Sequence, residues 1–154
     1  MGIAKRIIMT LSTFFYLGYL PMSGTLASIA GLFLFYLIRG NTSLQVALTL
    51  FCLFLGIALS AEAEKITGKK DAPCIVVDEV TGMLVSLLFL PYDIRSAVLA
   101  FFLFRILDIL KPYPINNLQS LPSGLGVMAD DVVAGIYTNI ILQSVLRLAS
   151  FRIS

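Results

Sequence analysis

Five of the nine acidic residues are set into apolar surroundings. Asp78 and Glu79 follow Ile75, Val76 and Val77 and open VTGMLVSLL; Asp108 lies in FFLFRILDIL; Asp130 and Asp131 lead into VVAGIYTNI. An ionised carboxylate at or below a membrane surface costs on the order of several kcal/mol unless a cation meets it. Neighbouring helical positions point about 100° apart, so each adjacent pair can turn one acid to the bundle centre and the other to a second helix or the headgroups. Two such pairs can build an all-oxygen site. Hard Mg²⁺ prefers such ligands, and one or two carboxylates suffice when a phosphate supplies further oxygens. The simpler account is that acids in the first turn of a helix favour its dipole by about 0.3–1 kcal/mol and need no function.

Cations stand close by in sequence. Arg105, Asp108 and Lys111 follow one another at three-residue intervals in FRILDILKPYPI. An intrahelical Arg105–Asp108 pair is worth roughly 0.2–0.5 kcal/mol in water, too little to justify sinking both into an apolar segment. The alternative gives Asp108 to the metal site, while Arg105 grips a phosphate through its planar fork and Lys111 reaches the same anion from the helix end. Pro112 pushes Lys111 out of helical geometry, and Pro114 stiffens the exit. A fourth element is LPMSGTLASIAG, in which Gly24 lets the backbone approach a ligand and Thr25 is placed to cap the following helix, whose amides favour an anion.

What is missing narrows the chemistry. The chain has no histidine, which removes Ser-His-Asp triads and the usual zinc sites. It has no GxxxxGK[ST] loop, and Val80, six residues after Cys74, rules out a Cys-x₅-Arg phosphatase loop. Cys52 and Cys74 form no CxxC pair and are read as free thiols. A net charge of +2 is too small for a nucleic-acid footprint. Carboxylate and metal chemistry with a basic clamp remains, and it suits phosphoryl transfer.

The elements that must position these groups are apolar. Of 154 residues, 58% are hydrophobic and 13% charged, and the mean hydropathy of +0.95 lies far above that of soluble domains. Leu44 to Ala61 carries no charge and, as a helix, extends roughly 27 Å, close to the hydrocarbon thickness of a bilayer. Breakers at Pro21–Gly24, Gly40–Ser43, Gly68–Pro73, Pro91–Tyr92 and Pro112–Gly126 divide the chain. They predict an N-terminal segment, retained in the mature chain, and helices over about 25–38, 44–63, 78–90, 95–110 and 128–148. The expected fold is an all-α, polytopic membrane bundle of four to five short spans forming one domain over residues 1–154. With the N terminus inside, Lys5, Arg6, Lys65, Lys69, Lys70 and Lys111 fall in cytoplasmic segments and Arg39 and Arg95 outside, while Arg147 and Arg152 at the C-terminal end argue weakly against an odd number of crossings. This topology brings the acids, Lys111 and the Ser23-Gly24-Thr25 loop to the cytoplasmic face.

In order, GYLPMSGT, KDAPCIVVDEVTG, LFRILDILKPYPI and SGLGVMADDVVAGIY resemble the motifs of the phosphatidylglycerophosphatase A family, small Mg²⁺-dependent lipid phosphatases of the bacterial inner membrane. The likeness runs from about Leu17 to Ile140. It implies hydrolysis of phosphatidylglycerophosphate to phosphatidylglycerol and phosphate, and places Asp78, Glu79, Arg105, Asp108, Lys111, Asp130 and Asp131 in the site. Ser23, Tyr113 and Ser123 stand where the family commonly has proline, tryptophan and glycine; none of these removes a charge. The expected roles are Asp78, Glu79, Asp108 and Asp131 or Asp130 around Mg²⁺, Arg105 and Lys111 on phosphate, and Gly24 and Thr25 as amide donors. A spare carboxylate serves as general base, with a covalent aspartyl-phosphate route also open.

Two other readings bear on the same residues. An ion- or proton-coupled transporter also places acids in membranes, but here they gather near one face and no inverted repeat is visible. A CDP-alcohol phosphotransferase requires a D-G-x₂-A-R opening, and the chain contains no Asp-Gly pair.

Overall fold

The computed structural model describes residues 2–38 and 40–151, with side chains as far as 148; Arg39 and Arg152 of the charge tally lie outside the described residues. These residues form helices and no strand. The order is α1 (Ile3–Ser12), a 3₁₀ turn (Leu17–Tyr19), α2 (Ser23–Leu37), α3 (Thr42–Thr67), α4 (Val77–Leu87), α5 (Ile94–Leu110), the one-turn α6 (Ile115–Leu118) and α7 (Gly124–Phe151). Two helices, Thr42–Thr67 and Gly124–Leu148, are long and apolar enough to cross a membrane, and α2 is a shorter apolar helix.

Polarity is distributed as it is in a protein that faces lipid. Phe33, Phe51, Phe54, Phe102 and Ile109 are exposed, whereas Ser28, Thr49, Thr81, Ser86 and Thr138 are buried. Each of these five hydroxyls donates to the carbonyl four residues back, at 2.8–2.9 Å. A hydroxyl satisfied within its own helix can be enclosed without a partner from another element.

Helix α4 is the axis of the bundle. Nine of its eleven residues are buried, and it packs against α2, α3, α5 and α7. Small residues allow the closest approach: a Cβ on Gly82 would lie 2.7 Å from Phe104 and 2.8 Å from the Asp131 carbonyl, and one on Gly135 would lie 2.5 Å from the Gly82 carbonyl. α4 and α7 therefore touch backbone to backbone. At about 16 Å, α4 is too short to span a bilayer, and its last carbonyls need partners inside the bundle. Asn139 of α7 supplies them, its Nδ2 donating to the Ser86 and Leu88 carbonyls at 3.1 and 2.6 Å. Gln143 Nε2 in turn donates to Asn139 Oδ1 at 2.7 Å and fixes the amide.

The breakers locate the helices well, with three corrections. The last helix begins at Gly124 rather than 128, so Asp130 and Asp131 lie nearly two turns inside it and not at its head. α2 begins at Ser23 after Met22, with no side-chain cap, so Thr25 is a first-turn residue and not the cap. The Pro112–Gly126 loop contains α6. The N-terminal segment is a short helix packed on α3, with Ile3 and Ile7 exposed.

Candidate active site

The start of α2, the α3–α4 loop, the start of α4, the end of α5 and the first half of α7 meet at one end of the bundle around a cavity of about 430 Å³. All nine residues singled out from sequence line it: Gly24, Thr25, Asp78, Glu79, Arg105, Asp108, Lys111, Asp130 and Asp131. Each is delivered by a local feature. Asp78 and Glu79 occupy the first turn of α4. Lys111 is the C-cap of α5 at φ +43°, a left-handed cap with its N–H on the Leu107 carbonyl at 2.8 Å, and Pro112 keeps the helix from continuing past it.

The acids divide into two groups. Oxygens of Asp78, Glu79 and Asp131 all lie within 4.8 Å of one another. Asp108 and Asp130 are held by cations: Arg105 Nη1 donates to Asp108 Oδ2 at 2.5 Å, and Lys111 Nζ donates to Asp130 Oδ2 at 2.5 Å. The intrahelical Arg105–Asp108 pair thus does form, and it forms inside the site. Gln119, at the C-terminus of α6, adds a second donor to Asp130 Oδ2 at 3.0 Å.

Asp71 also lines the cavity, and sequence reasoning missed it. Beside Lys69 and Lys70 it reads as an ordinary solvated loop residue. In the fold its φ of +48° turns the chain back, and its N–H donates to Glu64 Oε1 at 2.8 Å. Burial, then the charge of Asp130, pushes its carboxyl above the usual range, against a smaller opposing pull from Lys111. Gln119 was missed as well, because a lone glutamine in a loop carries no periodic signal.

Six carboxyl groups therefore face two cations. Asp78 Oδ1, Glu79 Oε2, Asp130 Oδ1 and Asp131 Oδ2 are buried without a hydrogen-bond partner among the described residues. Unpartnered buried oxygens of like charge are costly, and a hard divalent cation is the ligand that such a donor set fits. The Asp78, Glu79 and Asp131 group could hold such an ion. Close by, Gly24 lies under Glu79 and Arg105: a Cβ there would collide with Glu79 Oε1 and stand 3.0 and 3.1 Å from the two terminal guanidinium nitrogens. The uncapped first-turn amides of α2 thus stand next to the arginine fork.

Fold and site together define a membrane-associated helical protein with a cation-ready acidic cavity edged by basic groups, the equipment of a phosphate-handling enzyme. The family model described as Phosphatidylglycerophosphatase A matches residues 10–146. A Haemophilus influenzae phosphatidylglycerophosphatase A is 36% identical over 129 residues, covering 81% of this chain and 79% of that protein. The Escherichia coli phosphatidylglycerophosphatase A is 34% identical over 116 residues, covering 73% and 67%. A Bacteroides thetaiotaomicron protein named "Putative phosphatidylinositol-3-phosphatase" is 37% identical over 122 residues, covering 76% of each chain. No solved structure matches. The chain belongs to the phosphatidylglycerophosphatase A family, and with that membership it is a phosphoric monoester hydrolase.

Proposed function

We propose that this enzyme hydrolyses the terminal phosphate monoester of phosphatidylglycerophosphate to give phosphatidylglycerol and inorganic phosphate, with Mg²⁺ as its resident ion. The observation that carries this reading is the Asp78, Glu79 and Asp131 group, with its unpartnered buried oxygens, in one cavity with Arg105 and Lys111. Those three acids would hold the ion, with Asp108 completing the set when a phosphate takes over the Arg105 fork. Bound Mg²⁺ supplies charge neutralisation on phosphate oxygens and a lowered pKa for a coordinated water.

The chain's own groups do the rest. Arg105 takes two phosphate oxygens through its planar fork, and Lys111 a third from the cavity mouth. The α2 amides at Gly24 and Thr25 receive the remaining partial charge. A carboxylate of the acidic group takes the proton of the attacking water, whose oxygen bonds to phosphorus as the glycerol–oxygen bond to phosphorus breaks. The departing alkoxide leaves with a proton from a protonated carboxyl. Direct attack by an aspartate, giving a covalent phosphoenzyme that water then hydrolyses, uses the same groups.

The setting follows from the charges. Lys65, Lys69, Lys70 and Lys111 lie toward the cavity end, and this excess of lysine supports reading that end as the cytoplasmic face of a bacterial inner membrane, in a proposed bundle of four to five crossings. A diacyl substrate keeps its tails in lipid while its phosphate enters the cavity. A transporter would need polar groups along a path; here the acids sit at one end, and the helix midsections enclose self-satisfied hydroxyls.

The test is phosphate release by purified protein in mixed micelles, with Mg²⁺ and with chelator, on phosphatidylglycerophosphate and on phosphatidylinositol 3-phosphate. Mg²⁺-dependent release from the first, with the second slower, supports the reading. Faster turnover of the inositol lipid, or release unaffected by chelator, contradicts it.

A further inference from the structure

A second hollow of about 580 Å³ lies beside the catalytic cavity, and Ser23 and Pro73 line both. Ser23 Oγ approaches the Pro73 carbonyl at 3.5 Å, so these two residues form a low lip between the spaces. The hollow's walls are Tyr19 and Leu20 of the 3₁₀ turn on one side and the α3–α4 loop with Thr67 and Lys69 on the other. Lys69 has no ion pair among the described residues, unlike Lys65, which is held by Glu62 at 2.6 Å. Lys111, the cavity's own lysine, pairs with Asp130.

The surroundings of the hollow bear on what enters it. Tyr19 and Leu20 of its wall, Tyr16 stacked on Tyr19, and Met22 of the neighbouring cavity are all exposed, an aromatic and aliphatic belt of the kind that seats a protein at the headgroup level of a bilayer. An amphiphile lying on this belt reaches the acidic cavity across the Ser23–Pro73 lip, passing Lys69 on the way. The proposed substrate has matching parts: a terminal phosphate monoester, a three-carbon glycerol, a bridging phosphodiester, and then the diacyl portion. With the monoester among Arg105, Lys111 and the acids, the glycerol crosses the lip and a second anion falls where a second cation is needed.

We propose that this hollow is the subsite for the bridging phosphodiester, and that Lys69 is the residue that selects a lipid carrying that second phosphate. The inference rests on the reading of the substrate given above. It makes Lys69 a binding residue that contributes to KM and takes no part in the chemical step.

The test compares Lys69→Ala, Lys69→Arg and Lys70→Ala in hydrolysis of phosphatidylglycerophosphate in mixed micelles, with phosphatidylglycerol as competing ligand. The product keeps the phosphodiester and lacks the monoester, so its inhibition reports on the second subsite alone. Lys69→Ala is expected to raise KM about tenfold with kcat unchanged and to raise the inhibition constant for phosphatidylglycerol by a similar factor. Lys69→Arg should restore both, and Lys70→Ala, which does not line the hollow, should alter neither. The inference is overturned if KM for Lys69→Ala stays within twofold, if Lys70→Ala raises it equally, or if phosphatidylglycerol inhibits wild type and Lys69→Ala alike or not at all. Wild-type protein that releases no phosphate from phosphatidylglycerophosphate defeats the substrate reading, and this inference with it; the other outcomes defeat this inference alone.

Discussion

Lys111 Nζ meets Asp130 Oδ2 at 2.5 Å, while Asp131, the next residue, turns its carboxyl into the group with Asp78 and Glu79. Neighbours in sequence thus take different partners. Asp131→Asn should lower kcat by at least about a hundredfold with little change in folding, through loss of transition-state charge stabilisation. Asp130→Asn leaves Lys111 without its anchor and should act chiefly on KM, by about tenfold. Steady-state kinetics of the two variants check this, and equal effects on kcat would contradict the division.

Gly24→Ala separates activity from stability. Alanine improves helix propensity by up to about 1 kcal/mol, so the bundle should be no less stable. Its methyl, however, would strike Glu79 Oε1 and crowd the Arg105 fork. Displacement of either group should cost at least about tenfold in rate. Thermal unfolding in detergent together with phosphate release tests both halves, and a fully active variant would show that the α2 start is not part of the site.

Much of this site was legible in the chain, because buried charge is rare and stands out against apolar helices. The acid pairs, Arg105, Lys111 and the Pro112 break announce themselves through residue type and spacing. The start of α7 was not legible. Ser123, Gly124 and Gly126 read as a loop, but a Cβ on Gly124 would collide with the Ile57 carbonyl and stand 2.6 Å from the Ala61 N–H, so that glycine is there for contact with α3 and not for a turn. Which acid of a pair meets a cation was equally hidden, since it depends on Lys111 and Gln119 arriving from other elements. Asn139 gave no signal at all; its partners are carbonyls about fifty residues away.

That asparagine carries a structural prediction. Asn139→Ala removes both donors from the buried end of α4 and should destabilise the protein by about 1 kcal/mol, with KM unchanged. Unfolding of wild type and variant in the same detergent measures it. Unaltered stability would mean that the α4 carbonyls find other partners.

Asp71 predicts a pH dependence. Its carboxyl is held above the ordinary range, so the folded state disfavours ionisation, and the residue's contribution to stability falls as pH rises from the ordinary carboxylate range through the raised value. Asp71→Asn removes that cost. With chelator present, variant and wild type should melt together near about pH 3.5, below the unfolded pKa, and the variant should gain on wild type toward neutrality. A gap that closes as pH rises would reverse the assignment.

The central claim concerns three carboxylates and one ion, and equilibrium binding of Mn²⁺, followed by electron paramagnetic resonance as a stand-in for Mg²⁺, addresses it without any substrate. Wild type should show a saturable site that Mg²⁺ displaces, and Asp78→Asn and Asp131→Asn should each lose it while remaining folded. Wild-type binding that survives unchanged in both variants, or a wild type that binds no ion, would contradict the account.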